Sequence, residues 1–477
     1  MVHVTHADGP RIAIIGGGPA GYESALVAAQ LGARVTVIDR DGIGGACVLT
    51  DCVPSKTLIA TSDRVTAFRD APRVGVGPHS AEVAVDLATV NDRIKALALQ
   101  QSEDIAQRLG HEGVTVLRGR GRFSATQPPR AHRVEVLDDT GKLADAVEAD
   151  VVLIATGGTP RTMPTAVPDG ERILSWRDVY DLKELPEHLV VIGSGVTGAE
   201  FASGYSELGV PVTLVSSRDR VLPGEDPDAA EVIEDVFTSR GGRLMKQARA
   251  AAVRRTADGV LVELTDGRTV TGSHALMCVG SIPNVDGLGL EHAGVELDER
   301  GYIAVDRVSR TSVPSVYAAG DCTGVLLLAS VAGMQGRIAM WHALGEAVQP
   351  IRLSHVASTI FTDPEIASVG VSQAAVDRGE VPARAVKLPL ATNPRAKMGG
   401  FRDGFVKVFA RPGTGMVLGG VIVAPRASEL ILPLAIAIDQ SLTVDEIAHT
   451  FSVYPSLSGS LTEVARTVME FAPDAII

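Results

Sequence analysis

Two cysteines separated by four residues, Cys47 and Cys52, stand in the segment Gly44-Gly-Ala-Cys47-Val-Leu-Thr-Asp-Cys52-Val-Pro-Ser-Lys56. A pair at that spacing, opening a helical stretch, can cycle between disulfide and dithiol. A helix N-terminus and a nearby cation such as Lys56 both favour the thiolate. The same spacing is half of a zinc site, but no second Cys or His pair with ligand spacing follows, so no metal is expected. Cys278 and Cys322 stand alone and read as small buried apolar residues. Four cysteines in 477 residues are too few for a secreted disulfide framework, so the close pair reads as redox chemistry.

Such chemistry needs an electron source, and the flanking sequence supplies a place for one. The apolar run Arg11–Ile15 leads into Gly16-Gly-Gly18-Pro-Ala-Gly21, a helical pattern through Gln30, and the run Arg34–Asp39. This is strand, glycine turn, helix, strand, ending on an acid. Gly16 makes the sharp turn, Gly18 lets backbone approach a pyrophosphate, Gly21 lets helix pack on strand, and Asp39 suits a ribose hydroxyl.

The unit recurs. Leu189–Ile192 leads into Gly193-Ser-Gly195-Val-Thr-Gly198, a helical stretch through Leu208, and a strand that ends at Ser216. Gly16 to Asp39 and Gly193 to Ser216 both span 23 residues, so the chain is expected to bind two different dinucleotides. The acid of the first unit suits the unphosphorylated adenosine of FAD. In the second unit Ser216, Ser217, Arg218 and Arg220 could accept a 2′-phosphate through charge-assisted hydrogen bonds, so NADPH is expected to be tolerated or preferred over NADH.

Three further strand-then-turn segments punctuate the chain: one through Thr156 and Gly157, one running to Gly280 and Asn284, and Val316-Tyr-Ala-Ala-Gly320-Asp321. The carboxylate of Asp321, at a strand's C-terminal edge, could hold a polyol. Beyond Pro350 come the β-like runs Phe405 to Phe409 and Val417 to Val423, then helical stretches from Ser428 to Asp439 and from Val444 to Thr450. That region carries no nucleotide fingerprint and is assigned to association. The fold expected is α/β: a flavin domain at 1–160 and 286–350, a nicotinamide-nucleotide domain at 161–285 inserted within it, and an α+β dimerisation domain at 351–477.

With 44 Lys plus Arg against 57 Asp plus Glu, the net charge is −13, which argues against a nucleic-acid partner. No apolar run reaches the ~18–20 residues of a membrane span. The N-terminal stretch around His3, His6 and Asp8 has no apolar signal region, so a cytoplasmic protein is expected.

Taken in order, these motifs make the sequence similar, over nearly its whole length, to the flavin-dependent pyridine-nucleotide disulfide oxidoreductases, which include lipoamide dehydrogenase, glutathione reductase and mercuric reductase. The resemblance implies FAD, NADPH or NADH, and a homodimer. It implies that Asp321 holds the flavin ribityl chain, that Lys56 sits near flavin N5 paired with Glu200, that Cys52 is the charge-transfer thiol, and that Cys47 is the interchange thiol.

One stretch departs from the pattern. Where disulfide reductases of this family end with His-Pro-Thr-x-x-Glu, supplied by the other subunit, this chain has Tyr454-Pro455-Ser456-Leu457-Ser458-Gly459. Tyrosine, with an ordinary pKa of about 10 against about 6.5 for histidine, is a poor proton shuttle at neutral pH. General acid–base help is worth typically about 10²–10⁴-fold, so disulfide reduction should suffer while loading of the flavin should not. His449, in a helical stretch out of register with the motif, reads as a surface or interface residue. The sequence is especially similar to lipoamide-dehydrogenase-like quinone reductases of actinobacteria that lack the His/Glu pair. Some of these lack one of the paired cysteines, whereas this chain keeps both. The activity implied is NAD(P)H:quinone reduction; the alternative is disulfide reduction through Cys47 and Cys52. Mercuric reductase's C-terminal cysteine pair has no counterpart in the ending from Phe471 to Ile477.

Overall fold

The computed structural model of the chain describes residues 9–77 and 83–469. The N-terminal stretch through Asp8 and the ending from Phe471 lie outside the described residues. The chain forms two compact units: one from residues up to Thr57, Thr89–Arg161 and Gly280–Ile351, the other from Leu58–Ala88, Thr162–Val279 and Arg352 onward.

The first unit is built on a five-stranded parallel sheet in the order Val316–Ala318, Val151–Ile154, Arg11–Ile15, Arg34–Asp39, Thr115–Arg118. Its central strands are continuous apolar runs because a parallel sheet is covered on both faces. Ile12, Ile14, Val37 and Leu153 pack on one side with Ala25, Ala28 and Ala339, and Ala13, Ile38, Val152 and Ile154 pack on the other with Phe123 and Val134. An antiparallel three-stranded layer, Arg120–Phe123, His132–Leu137 and Leu143–Ala149, follows the fifth strand of that order.

The second unit repeats the plan, with a five-stranded sheet in the order Arg243–Met245, Val212–Val215, Leu189–Ile192, His274–Met277, Ile173–Ser175. It also holds a five-stranded antiparallel sheet in the order Ala357–Ile360, Glu365–Gly370, Val417–Ala424, Phe405–Ala410, Arg384–Pro389. Helices Leu432–Asp439 and Gly459–Val468 pack on that sheet through Leu434, Ala437, Leu461 and Val464.

The sequence points to only two of the three inner strands of this sheet, Phe405–Ala410 and Val417–Ala424. Arg384–Pro389 is an edge strand with no fully buried residue, so it carries no apolar signal. The helix Gly459–Val468 was also not anticipated, and the stretch expected from Ser428 breaks into Ala427–Leu430 and Leu432–Asp439. Among the described residues no helix is long and apolar enough to cross a membrane.

Candidate functional site

In the first unit, the glycine turn is held by the strands on either side of it and by its own helix. The Gly16 N–H donates to the Ile38 carbonyl at 2.8 Å, and a Cβ on Gly16 would stand 2.3 Å from the Ala155 oxygen. A Cβ on Gly21 would meet the Gly16 oxygen at 1.9 Å, so helix and strand touch only because that residue has no side chain. Gly18 caps the helix Pro19–Gln30 in an extended conformation, and a Cβ there would find nothing within 4 Å. That open cradle at a helix N-terminus is the place a pyrophosphate would take.

Asp39 behaves differently from the expectation of a carboxylate waiting for a ribose. Its Oδ2 accepts the Gly17 N–H at 2.6 Å, and its Oδ1 accepts the N–H groups of Asp41 and Gly42 at 2.9 and 2.6 Å. Burial raises this carboxyl while the three amides hold it back. Part of its acceptor capacity is left for a ligand hydroxyl. The same loop carries the cysteines: the Gly44 N–H donates to the Gly17 carbonyl at 2.8 Å, and Gly45 approaches so closely that its Cβ would stand 2.9 Å from the Gly18 Cα. Turn, acid and cysteine segment are one hydrogen-bonded assembly.

Cys47 lies in the short helix Gly45–Leu49, and Cys52 opens the helix Cys52–Asp70, which carries Lys56 in its second turn. Both cysteines are half-buried thiols, not a disulfide. A hydrogen bond between them lowers the Cys47 thiol and raises the Cys52 thiol, so the pair readily holds a single negative charge. Lys56 favours that charge, whereas burial and Asp51 oppose it. The charge favours Cys47, whereas the resemblance assigns the thiolate role to Cys52.

Asp321 begins the single turn Asp321–Thr323, after Gly320 in a left-handed conformation. No described residue donates a hydrogen bond to its carboxylate. Burial and the charge of Asp51 push its pKa up to about 6. An acceptor that is largely enclosed yet unserved suits a ligand hydroxyl. The Gly320 N–H donates to Gln335 Oε1 at 2.9 Å, which fixes the turn.

Thr156 and Gly157 are held by a residue to which the sequence reading gave no role. Thr156 Oγ1 donates to the Asn284 carbonyl at 2.7 Å, Asn284 Nδ2 returns a bond to the Thr156 carbonyl at 2.9 Å, and the Asn284 N–H donates to the Gly157 carbonyl at 3.0 Å. The segments Gly158–Pro160 and Ser281–Pro283 pair antiparallel beside them, and the Arg161 N–H meets the Gly280 carbonyl at 2.9 Å. The signal for Asn284 was its place in a strand-then-turn matching that of Thr156.

The second unit reproduces the turn atom for atom. A Cβ on Gly193 would stand 2.1 Å from the Cys278 oxygen, one on Gly198 would stand 1.8 Å from the Gly193 oxygen, and one on Gly195 would find nothing within 4 Å. Ser216, however, is fully buried and bonded to Ser194 Oγ at 2.7 Å, so the exposed residues at the strand end are Ser217, Arg218 and the acidic Asp219. Arg220 turns to the Pro223 carbonyl at 3.1 Å. Glu200 is buried on the helix Val196–Glu207, and its Oε1 accepts the Phe361 N–H at 2.9 Å.

Tyr454 is 82% exposed, within a run in which Phe451 and Val453 are exposed too. His449 closes the helix Val444–His449, with Nδ1 2.7 Å from the Asp445 carbonyl. Among the described residues no group of three or more His, Cys, Asp or Glu could hold a metal ion.

Comparison with known proteins agrees with this geometry. The family model described as pyridine nucleotide-disulphide oxidoreductase matches residues 10–336, and the model of that family's dimerisation domain matches residues 356–465. An NAD(P)H dehydrogenase (quinone) of Mycobacterium tuberculosis is 59% identical over 463 residues, covering 96% of this chain and 94% of its own. A dihydrolipoyl dehydrogenase of Chlamydia pneumoniae is 34% identical over 446 residues, covering 93% and 94%. The crystal structure of LpdA from Mycobacterium tuberculosis superposes with a TM-score of 0.93 at 58% identity, covering 97% of this chain and all of that one. The chain therefore belongs to the pyridine nucleotide-disulphide oxidoreductases, which use FAD and NAD(P)H.

Proposed function

We propose that this protein is an NAD(P)H:quinone oxidoreductase, working as a cytoplasmic homodimer. The observation that carries the proposal is the pair Tyr454 and Gly459, standing where the family's disulfide reductases keep a proton donor and its orienting carboxylate. The relative named NAD(P)H dehydrogenase (quinone) supports the same reading. So does the match to the dimerisation domain, with the exposed run at Phe451 to Tyr454 available to a second copy. The division into a flavin part at 1–160 and 286–350, a nicotinamide part at 161–285 and a dimerisation part at 351–477 belongs to this reading.

Bound FAD would supply the redox chemistry, taking hydride from NAD(P)H and releasing electrons singly or in pairs to an aromatic acceptor. The residues of the chain bind, orient and set charge. Gly16, Gly18 and Gly21 shape the turn for the FAD pyrophosphate, with Asp39 toward the adenosine ribose and Asp321 toward the ribityl hydroxyls. Thr156, Gly157 and Gly320 hold backbone close to the flavin. Gly193, Gly195 and Gly198 do for NAD(P)H what the first turn does for FAD, with Ser217, Arg218 and Gly280 at the edge of that site. Lys56 and Glu200 order the reacting face. Tyr454 lines the acceptor side without shuttling protons efficiently.

Retention of both thiols favours a second, weaker activity, in which Cys47 attacks a disulfide and Cys52 completes the exchange. Turnover with menadione and with lipoamide, measured side by side, separates the two. Menadione should be reduced far faster; comparable rates would overturn the proposal. Tyr454→His with Gly459→Glu should then raise lipoamide turnover by about 10²-fold and leave menadione nearly unchanged. At Gly459 a side chain has room to begin, since a Cβ there meets nothing nearer than 3.5 Å.

A further inference from the structure

Within the second unit, two helices grip the short segment that joins the strands Ala357–Ile360 and Glu365–Gly370. On the helix Val196–Glu207, the residues Glu200, Ser203 and Glu207 share one face at spacings of three and four. Glu200 Oε1 accepts the Phe361 N–H at 2.9 Å, and Ser203 Oγ accepts the Asp363 N–H at 3.2 Å. Ser203 Oγ itself donates to Glu207 Oε1 at 2.7 Å, which leaves its lone pairs for the Asp363 amide.

From the other side comes Arg240, which closes the helix Pro227–Ser239. Its Nη2 donates to Asp363 Oδ2 at 2.6 Å, its Nη1 donates to the Asp363 carbonyl at 3.4 Å, and the same Nη1 lies 3.7 Å from Glu207 Oε1. The Glu207 side chain is fully buried and that of Asp363 is partly open, so one guanidinium serves a buried and a half-buried carboxylate together.

Both ends of the helix Pro227–Ser239 are thus docked on the antiparallel sheet, the first by Asp226 on Lys407 and the second by Arg240 on Asp363. The two anchors differ in what lies beyond them. Lys407 leads on to Asp228 and Gln373, neither of which belongs to the candidate site. Arg240 leads through Asp363 to Phe361, two residues away, whose amide rests on Glu200.

We infer that Arg240 and Asp363 are positioning residues for Glu200: they hold the Phe361 N–H against its carboxylate and so fix the acid that works with Lys56. The inference rests on the reading that Lys56 and Glu200 order the reacting face.

The test compares the flavin-loaded wild type with Arg240→Met, Arg240→Lys, Asp363→Asn, Glu200→Gln, Lys407→Met and the double variant Arg240→Met with Glu200→Gln. Hydrogen exchange at the Phe361 and Asp363 amides reads the clamp, and stopped-flow reduction of the flavin by saturating NADPH and NADH reads its consequence. Arg240→Met should speed exchange at both amides by about 10-fold or more. It should slow flavin reduction roughly 10-fold, with nucleotide affinity unchanged. Asp363→Asn, which keeps its N–H for Ser203, should move both readouts the same way, severalfold. Arg240→Lys, which keeps the charge beside Asp363, should return the rate to within about threefold of wild type. Lys407→Met loosens the other end of the same helix and lowers stability, yet its reduction rate should stay within about twofold of wild type. The double variant should be slower than Glu200→Gln alone by no more than about twofold, because Arg240 acts through Glu200.

Unaltered reduction in Arg240→Met would overturn the inference, as would an equal slowing in Lys407→Met or effects that simply multiply in the double variant. If Arg240→Met does not fold, Asp363→Asn decides by the same two readouts. Slow reduction in Glu200→Gln together with a normal rate in a loosened clamp would sink the inference alone. Normal reduction in Glu200→Gln would instead remove Glu200 from the reacting face, and the inference would fall with that reading.

Discussion

Gln30 and Glu207 close helices of equal length, each 12 residues, at the same distance from their glycine turns, yet Gln30 is exposed and Glu207 is buried. The contrast extends beyond that residue. In the first unit the segment after the second strand runs directly into the cysteine helices, tied by backbone bonds and one carboxylate. In the second it runs into the helix Pro227–Ser239, capped by Asp226, which the buried Lys407 grips at 2.9 and 2.8 Å. One turn thus carries a cysteine pair beside it, while its copy is anchored by buried charge. The shared backbone geometry sets where a dinucleotide can lie, and the residues outside the fingerprint set what happens there.

Matched substitutions in the two cradles give the largest expected effect. Gly18→Val and Gly195→Val place side chains in open space at extended backbone, so both proteins should fold. Gly18→Val should purify colourless, whereas Gly195→Val should stay yellow while its reduction by NAD(P)H slows by on the order of 10²-fold. Stopped-flow absorbance of the flavin band reads both, and a yellow, fully active Gly195→Val protein would break the comparison.

Lys407→Met tests the charge anchor. Lys407 is 4% exposed and Asp226 2%, so removing the lysine strands the buried Asp226, while Asp228, 2.6 Å from Lys407, keeps Lys387 at 3.1 Å. A loss of about 3–5 kcal/mol in denaturant unfolding is expected, with flavin content retained. A loss below about 1 kcal/mol would mean the anchor is dispensable.

The smallest effect depends on pH. Burial, with the charge of Asp363 adding to it, pushes the Glu207 carboxyl from 4.5 to about 7. Below the lower value it is protonated in both folded and unfolded chains and costs nothing. As pH rises toward 7 the unfolded chain ionises first, and the folded state loses stability. Glu207→Gln should therefore gain stability relative to wild type between pH 5 and pH 8, by on the order of 1–3 kcal/mol. A pH-independent difference would place the burial cost elsewhere.

What could be read from the sequence was whatever is enforced locally. Gly21 and Gly198 are legible because a side chain there would collide at about 2 Å with the oxygen of the turn's own first glycine, whereas Gly16 and Gly193, which face Ala155 and Cys278, are legible only through their fixed spacing from those two. Asn284 was not, because its bonds to Thr156 form only when segments 128 residues apart become neighbours. Ser216 was legible as a residue type but not as a direction: its hydroxyl points inward to Ser194, which composition alone cannot say. The strand Arg384–Pro389 was hidden because an edge exposed to water needs no apolar alternation.

The ribbon of Gly158–Pro160 against Ser281–Pro283 brings together the ends of the longer of the two segments by which the chain leaves and rejoins the first unit. Closure of the flavin sheet onto Val316–Ala318 is thereby decided at the ribbon, and the length of the intervening segment matters only logarithmically. A segment with side-by-side ends can change in length without disturbing the sheet it leaves, but its ties to the C-terminal antiparallel sheet, Asp226 with Lys407 and Glu200 with Phe361, must be kept in any exchange among relatives.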